Sequence, residues 1–180
     1  MKSGVKIVFW DWLGTLVSSH FCVKFYLQQI RTEAGIASAD LDDMKNLSPE
    51  EIIKLKNILA KKGELWIPYA WSLVNSFSQK RVRQVIVSNG SYDSIAQKIS
   101  NSPFRDFDMI LTSSKFDPKP SPQMVQYALG KFGIKPEQAV FIGDAPVDME
   151  TARVSGIGFY QVDGSLKSYQ KIAEIFKFCQ

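Results

Sequence analysis

The sequence predicts an α/β fold, a doubly wound and mainly parallel sheet interrupted once by a small helical insertion, and three observations carry that expectation. Short apolar runs of strand length recur along the chain. Amphipathic helical patterns alternate with them, and a polar cluster follows each of the first four runs. Strands that are apolar throughout, rather than on alternate residues, suit a sheet covered by helices on both faces.

The first strand is expected at residues 5–10, where the apolar run stops at Asp11. Residues 17–63 leave the alternating beat. They carry amphipathic patterns near 21–33 and 49–62, the second opened by Ser48-Pro49-Glu50-Glu51, with a good N-cap and a proline in the first turn. This stretch, residues 17–63, is read as a small helical insertion over one end of the sheet, so that residues 1–16 and 64–180 form the core. The beat then resumes, with helices at about 69–80, 91–101, 122–132, 147–154 and 167–178 and strands at 84–87, 108–111, 139–142 and 159–162. The last helix places Ile172, Ile175 and Phe176 on one face, expected to pack on the sheet rather than to meet a partner or a membrane.

Composition narrows the function classes. A chain of 180 residues, 45% hydrophobic, can bury a substantial core as one body with a modest insertion. The net charge of +4 is spread over scattered Lys and Arg residues, so no nucleic-acid partner is expected. Two cysteines, Cys22 and Cys179, exclude a disulfide framework and suit a reducing, cytoplasmic setting as buried thiols. The apolar run before Asp11 is too short for a signal or a membrane span, and membrane association is not indicated. Secretion without a cleaved signal would leave no mark of this kind. Nothing in the sequence assigns an oligomeric state.

Open α/β sheets bind ligands at the carboxyl ends of their strands. There the chain places Asp11-Trp12-Leu13-Gly14-Thr15-Leu16, then Ser88-Asn89-Gly90, then Lys119-Pro120-Ser121-Pro122, and finally Gly143-Asp144-Ala145-Pro146-Val147-Asp148. One crevice thereby receives three carboxylates, a lysine, and hydroxyl and amide donors. Each residue also has a plainer reading. An aspartate after a strand is often only a helix cap, and Asp148 in a first helical turn is favoured by the helix dipole whatever its use. Gly14, Gly90 and Gly143 read as backbone permissiveness. The lone His20 cannot build a multi-histidine metal site. Trp10 reads as core, Trp12 as lining the mouth, and Trp66, Tyr69 and Trp71 as packing.

In this order the four clusters resemble the motifs of the haloacid dehalogenase (HAD) superfamily, over nearly the whole chain. The resemblance implies a Rossmann-like core with a helical cap and a magnesium-dependent phosphohydrolase that works through an aspartyl-phosphate on Asp11. It implies Mg²⁺ held by the Asp11 carboxylate, the Leu13 backbone carbonyl and Asp144, with Asp148 beside them to orient metal-bound water. Ser88, the Asn89 amide and Thr15 would hold the phosphoryl oxygens. Lys119 would neutralise both the nucleophile and the transferring group. The substrate implied is a phosphorylated small molecule or a phosphoprotein.

Leu13 departs from the family pattern, which has a second aspartate two residues after the nucleophile as general acid and base. Its loss should cost roughly 10²- to 10⁴-fold in rate without dismantling phosphate or metal binding. One reading is a phosphatase for good leaving groups, with aryl phosphates such as phosphotyrosine favoured because a phenol has a pKa of about 10 against about 15.7 for water. A second is phosphonate hydrolysis, similar at Asp-Trp-small-Gly-Thr, which would need a cap lysine such as Lys54 or Lys56. Metal-free dehalogenation is disfavoured by Gly143-Asp144. A third is a catalytically impaired binding or regulatory module on the same fold.

Overall fold

The protein is described by a computed structural model, in which residues 4–18, 50, 65–102 and 107–178 are described. The chain divides into two compact units, Met1–Val17 with Trp66–Gln180, and Ser18–Leu65. The helix expected near 21–33 and, apart from Glu50, that near 49–62 lie outside the described residues, as do His20, Cys22, Lys54, Lys56 and Cys179.

The first unit is built on five parallel strands in the order β5-β4-β1-β6-β7. These are β1 (Ile7–Trp10), β4 (Arg83–Ser88), β5 (Met109–Thr112), β6 (Ala139–Gly143) and β7 (Gly158–Gln161). A separate two-stranded sheet pairs β2 (Val17–Ser18) with β3 (Leu65–Trp66). The pattern of apolar residues did not announce it, because two residues per strand give no periodicity to read. The helices are α1 (Pro68–Gln79), α2 (Tyr92–Ser100), α3 (Gln123–Phe132), α4 (Pro146–Val154) and α5 (Leu166–Ile175), with a 3₁₀ turn at Pro136–Gln138.

Successive strand residues point to opposite faces, and the two faces divide the core. Val8, Trp10, Ile86, Val140 and Ile142 pack with Leu73, Val74 and Phe77 of α1, Ile95 of α2, and Tyr169 and Ile172 of α5. Ile7, Phe9, Val85, Val87 and Phe141 pack with Met124, Val125, Ala128 and Leu129 of α3 and Ala152 of α4. The central strand is fully buried, which is why its sequence carries no polar alternation. Phe77 is buried between sheet and helices, edge-on to Trp10 at 6.0 Å and to Phe178 at 4.7 Å. Truncating such an aromatic to alanine typically costs about 3–5 kcal/mol.

One polar side chain is built into this core. Gln84 is wholly buried, accepts from Trp10 Nε1 at 3.0 Å, and donates through Nε2 to the Val74 carbonyl at 3.1 Å and to Ser78 Oγ at 2.7 Å. Both ends of the amide are satisfied, so β1, β4 and α1 are tied together without an orphaned polar atom. The C-terminal helix differs from expectation in detail. Tyr169 and Ile172 are its buried residues, whereas Ile175 is 38% exposed; the chain leaves the helix after Ile175, and Phe176 and Phe178 fold back on Phe77. Trp12 also differs: it is buried, edge-on to Trp66 at 5.4 Å, and belongs to the core rather than to a mouth.

Candidate active site

Strand register decides what meets at the carboxyl edge. Trp10 lies opposite Ile86 on one side and Ile142 on the other, so the loops after β1, β4 and β6 leave the sheet at nearly the same level. The order of strands reverses at β1, with β4 to one side and β6 to the other, and that reversal opens a crevice between the loops.

The loop after β1 is a tight, internally bonded turn. Asp11 N–H donates to the Ile142 carbonyl at 2.9 Å, which fixes the first residue after the strand against β6. The Trp12 carbonyl accepts from both Leu16 and Val17 N–H at 3.0 Å, and Gly14 N–H donates to the Val17 carbonyl at 2.6 Å. Gly14 sits at φ +92°, and a Cβ there would collide with the Asp144 carboxylate. Gly143 ends β6 in a similar position, with an added Cβ only 2.6 Å from the Asp148 side chain. These glycines were read as backbone permissiveness; the structure shows that they also make room for two acidic groups.

Lys119, only 7% exposed, bridges two aspartates: its Nζ lies 2.5 Å from Asp11 Oδ1 and 2.6 Å from Asp148 Oδ1, and 5.7 Å from the centre of the Phe141 ring. Asp148 serves a second purpose, because its Oδ2 accepts from Ala145 N–H at 3.1 Å and caps α4. Asp148 thus faces Lys119 with one oxygen and the start of α4 with the other. Thr15 Oγ1 donates to Asp144 Oδ1 at 3.4 Å. Asp11, Asp144 and Asp148 each present a carboxylate oxygen within 4.8 Å of the others, a group that could hold a metal ion.

Burial pushes the Asp11 carboxyl up to about 7, against the pull of Lys119 and with Asp148 adding to the rise. Burial and the neighbouring Asp148 also raise Asp144. Burial works to lower Lys119, but its two aspartate partners outweigh that and hold it above the usual lysine value. Three carboxylates against one ammonium leave the crevice short of positive charge. A hard cation with oxygen ligands fits that deficit and that donor set.

The remaining residues singled out in the sequence divide by position. Ser88 is buried at the end of β4, and its Oγ accepts from Gly90 N–H at 3.0 Å, which leaves the hydroxyl proton free to donate elsewhere. The Asn89 side chain turns to the backbone of Lys119, accepting from its N–H at 2.7 Å and donating to its carbonyl at 3.2 Å. The Leu13 side chain is 44% exposed. Two residues were not anticipated. Gln161, the last residue of β7, donates to the Asp144 carbonyl at 3.3 Å; the rule of inspecting strand ends would have found it. Tyr169, buried in α5, donates to the Thr15 carbonyl at 2.5 Å, and no local pattern marks it.

Comparison with known proteins identifies the family and the fold. The family described as haloacid dehalogenase-like hydrolase matches residues 9–162. A phosphoserine phosphatase from Thermus thermophilus is 28% identical over 103 residues, which cover 56% of this chain and 41% of that protein, so the match spans about two fifths of the relative's length. A hydrolase from Streptococcus pneumoniae superposes with TM-score 0.69 at 20% identity, covering 98% of this chain and 100% of the other. CbbY from Rhodobacter sphaeroides, solved in complex with xylulose-(1,5)-bisphosphate, superposes with TM-score 0.61 at 16% identity over 90% of this chain and 88% of its own. Both structures share the fold. Among the described residues, no helix is long and apolar enough to cross a membrane.

Proposed function

The chain belongs to the haloacid dehalogenase-like hydrolase family, and from that premise we propose that it is a Mg²⁺-dependent phosphohydrolase acting through an aspartyl-phosphate on Asp11, with aryl phosphates such as phosphotyrosine favoured over alkyl phosphates. The observation that carries this reading is the Lys119 bridge, which sets a buried carboxylate nucleophile beside a fixed cation and two further carboxylates at the crevice.

In the first step an Asp11 oxygen attacks phosphorus, the bond from phosphorus to the leaving oxygen breaks, and the phenoxide departs with the electron pair and takes its proton from water. In the second, a water oxygen attacks the same phosphorus, releasing phosphate and restoring the Asp11 carboxylate. Lys119 stays beside the reacting carboxylate throughout and offsets charge as it moves onto the phosphoryl oxygens. Ser88 Oγ, with its proton free, and the N–H groups following β4 are the donors for those oxygens, and Thr15 holds Asp144 in place. A bound Mg²⁺, with Asp11, Asp144 and the Leu13 carbonyl as ligands and Asp148 alongside, would supply the charge that lets two anions approach.

Leu13 argues for the choice of substrate. An exposed aliphatic side chain can neither protonate a leaving group nor activate water. A phenol, with a pKa of about 10, departs with little help, whereas an alkoxide does not. The same Leu13 favours the second reading, a module that binds phosphate but turns over slowly.

The deciding experiment compares an aryl phosphate, a phosphotyrosine peptide and an alkyl phosphate, with Mg²⁺ and with chelator, for wild type and Asp11→Asn. Mg²⁺-dependent aryl hydrolysis that vanishes in Asp11→Asn supports the phosphatase; binding of phosphate without turnover supports the module.

A further inference from the structure

Lys119 reaches its two aspartates from a loop, at the end of a side chain with four rotatable bonds. A small shift of its backbone would swing Nζ out of the narrow gap between Asp11 Oδ1 and Asp148 Oδ1. Asn89, 30 residues away, grips that backbone at both polar groups: Oδ1 accepts from Lys119 N–H at 2.7 Å and Nδ2 donates to the Lys119 carbonyl at 3.2 Å. A carboxamide offers a donor and an acceptor side by side on one planar group, whereas an ionised Asp only accepts and a Ser hydroxyl has a single oxygen, so neither reproduces the grip. Asn89 is itself anchored. Ser113 Oγ donates to its carbonyl at 2.8 Å, and Ser113 N–H donates to the Ser88 carbonyl at 3.1 Å, so the loop after β5 holds the loop after β4.

We propose that the Asn89 side chain is a positioning residue that acts through Lys119, locking the lysine loop so that Nζ stays between Asp11 and Asp148. The proposal deepens the phosphohydrolase reading and rests on it. A side chain engaged at both ends with the lysine backbone is not directed at a phosphoryl group, so its contribution reaches the reaction only by way of Lys119.

The test is a double-mutant cycle in aryl phosphate turnover. Asn89→Ala is expected to lower kcat by about 10- to 100-fold with KM little changed, in line with what misplacement of a catalytic group costs. Asn89→Asp, which keeps only the acceptor, should fall between wild type and Asn89→Ala. In a Lys119→Met background, Asn89→Ala should cost almost nothing more, because the group it positions is gone. Losses that multiply in the double variant would show Asn89 acting on its own and overturn the proposal. A second measurement needs no turnover: competitive acylation of lysines read by mass spectrometry, with exposed Lys131 and Lys135 as internal controls. Release of the loop should raise labelling of Lys119 several-fold in Asn89→Ala, and unchanged labelling would overturn the proposal. If wild type hydrolyses no phosphate ester, the phosphohydrolase reading fails on that arm while the labelling still decides the grip.

Discussion

The phenol of Tyr169 in α5 donates at 2.5 Å to the backbone carbonyl of Thr15, in the loop that carries Asp11, across 154 residues of sequence. The carbonyl is enclosed, and Thr15 has no exposed surface, so this bond satisfies an acceptor that water cannot reach. Tyr169→Phe keeps the ring packing and removes only the donor. The expected loss is about 1–3 kcal/mol, the usual cost of leaving a buried group unsatisfied. Chemical denaturation should show it, and kcat should fall as the loop loosens. A variant as stable as wild type would mean that the Thr15 carbonyl finds another donor.

Asp11 makes metal-free stability depend on pH. Its folded-state pKa is raised to about 7, above the ordinary carboxylate value, so its contribution is fully present below the unfolded pKa and is lost as pH rises through about 7. Asp144, raised as well, acts in the same direction. Chelated protein should therefore melt at a lower temperature at about pH 8 than at about pH 5, and Asp11→Asn should flatten that difference. Because the cation competes with the proton for these carboxylates, Mg²⁺ should raise Tm more at the higher pH. Thermal melts of both proteins decide it, and identical pH profiles would reject the assignment.

Leu13→Asp places a titratable group where the resemblance of the first motif leads one to expect it. The side chain is 44% exposed, so the new carboxylate is not forced into a dry site. Alkyl phosphate turnover should rise by roughly 10²-fold or more, while aryl turnover rises much less, so the ratio of aryl to alkyl kcat/KM should drop. An unchanged ratio would remove Leu13 as the source of substrate preference.

Gly14→Ala should damage the acidic group rather than the fold alone. The position combines φ +92° with a Cβ that would overlap the Asp144 carboxylate, so Asp144 must shift from the place it holds in the acidic group. The variant is expected to lose Mg²⁺ affinity by titration calorimetry while Asp11→Asn, which leaves this geometry intact, keeps a larger share of it. Equal affinity for Gly14→Ala and wild type would place the metal away from Asp144.

How much could be read in advance differs by residue. The strands at residues 84–87 and 139–142 were legible because a doubly covered sheet needs unbroken apolar runs, and the structure extends the first by one residue at each end, to Arg83–Ser88, and the second by one at its C-terminal end, to Ala139–Gly143. The places of Asp11, Ser88, Lys119 and Asp144 were legible because crevice residues follow strand ends. Ile175 and Trp12 were misjudged for opposite reasons. Helical periodicity put Ile175 on the buried face, but it is the last residue of α5 and only Tyr169 and Ile172 are buried there, and adjacency to Asp11 suggested exposure where an aromatic partner, Trp66, buries the Trp12 ring.

By itself, the sequence determined the α/β alternation, the end of the sheet at which the polar residues gather, and the residue types available there, because these follow from local periodicity and from how parallel strands must be connected. Tertiary structure alone decided that Lys119 is shared between Asp11 and Asp148, that Asn89 grips the lysine backbone, that Gly14 and Gly143 clear space for acidic side chains, and that Tyr169 seals the Thr15 carbonyl. Those pairings join residues 30 to 154 positions apart in three of the four cases named by a hydrogen bond or ion pair, and hydrogen bonding is decided by a few tenths of an ångström, which no spacing along the chain encodes.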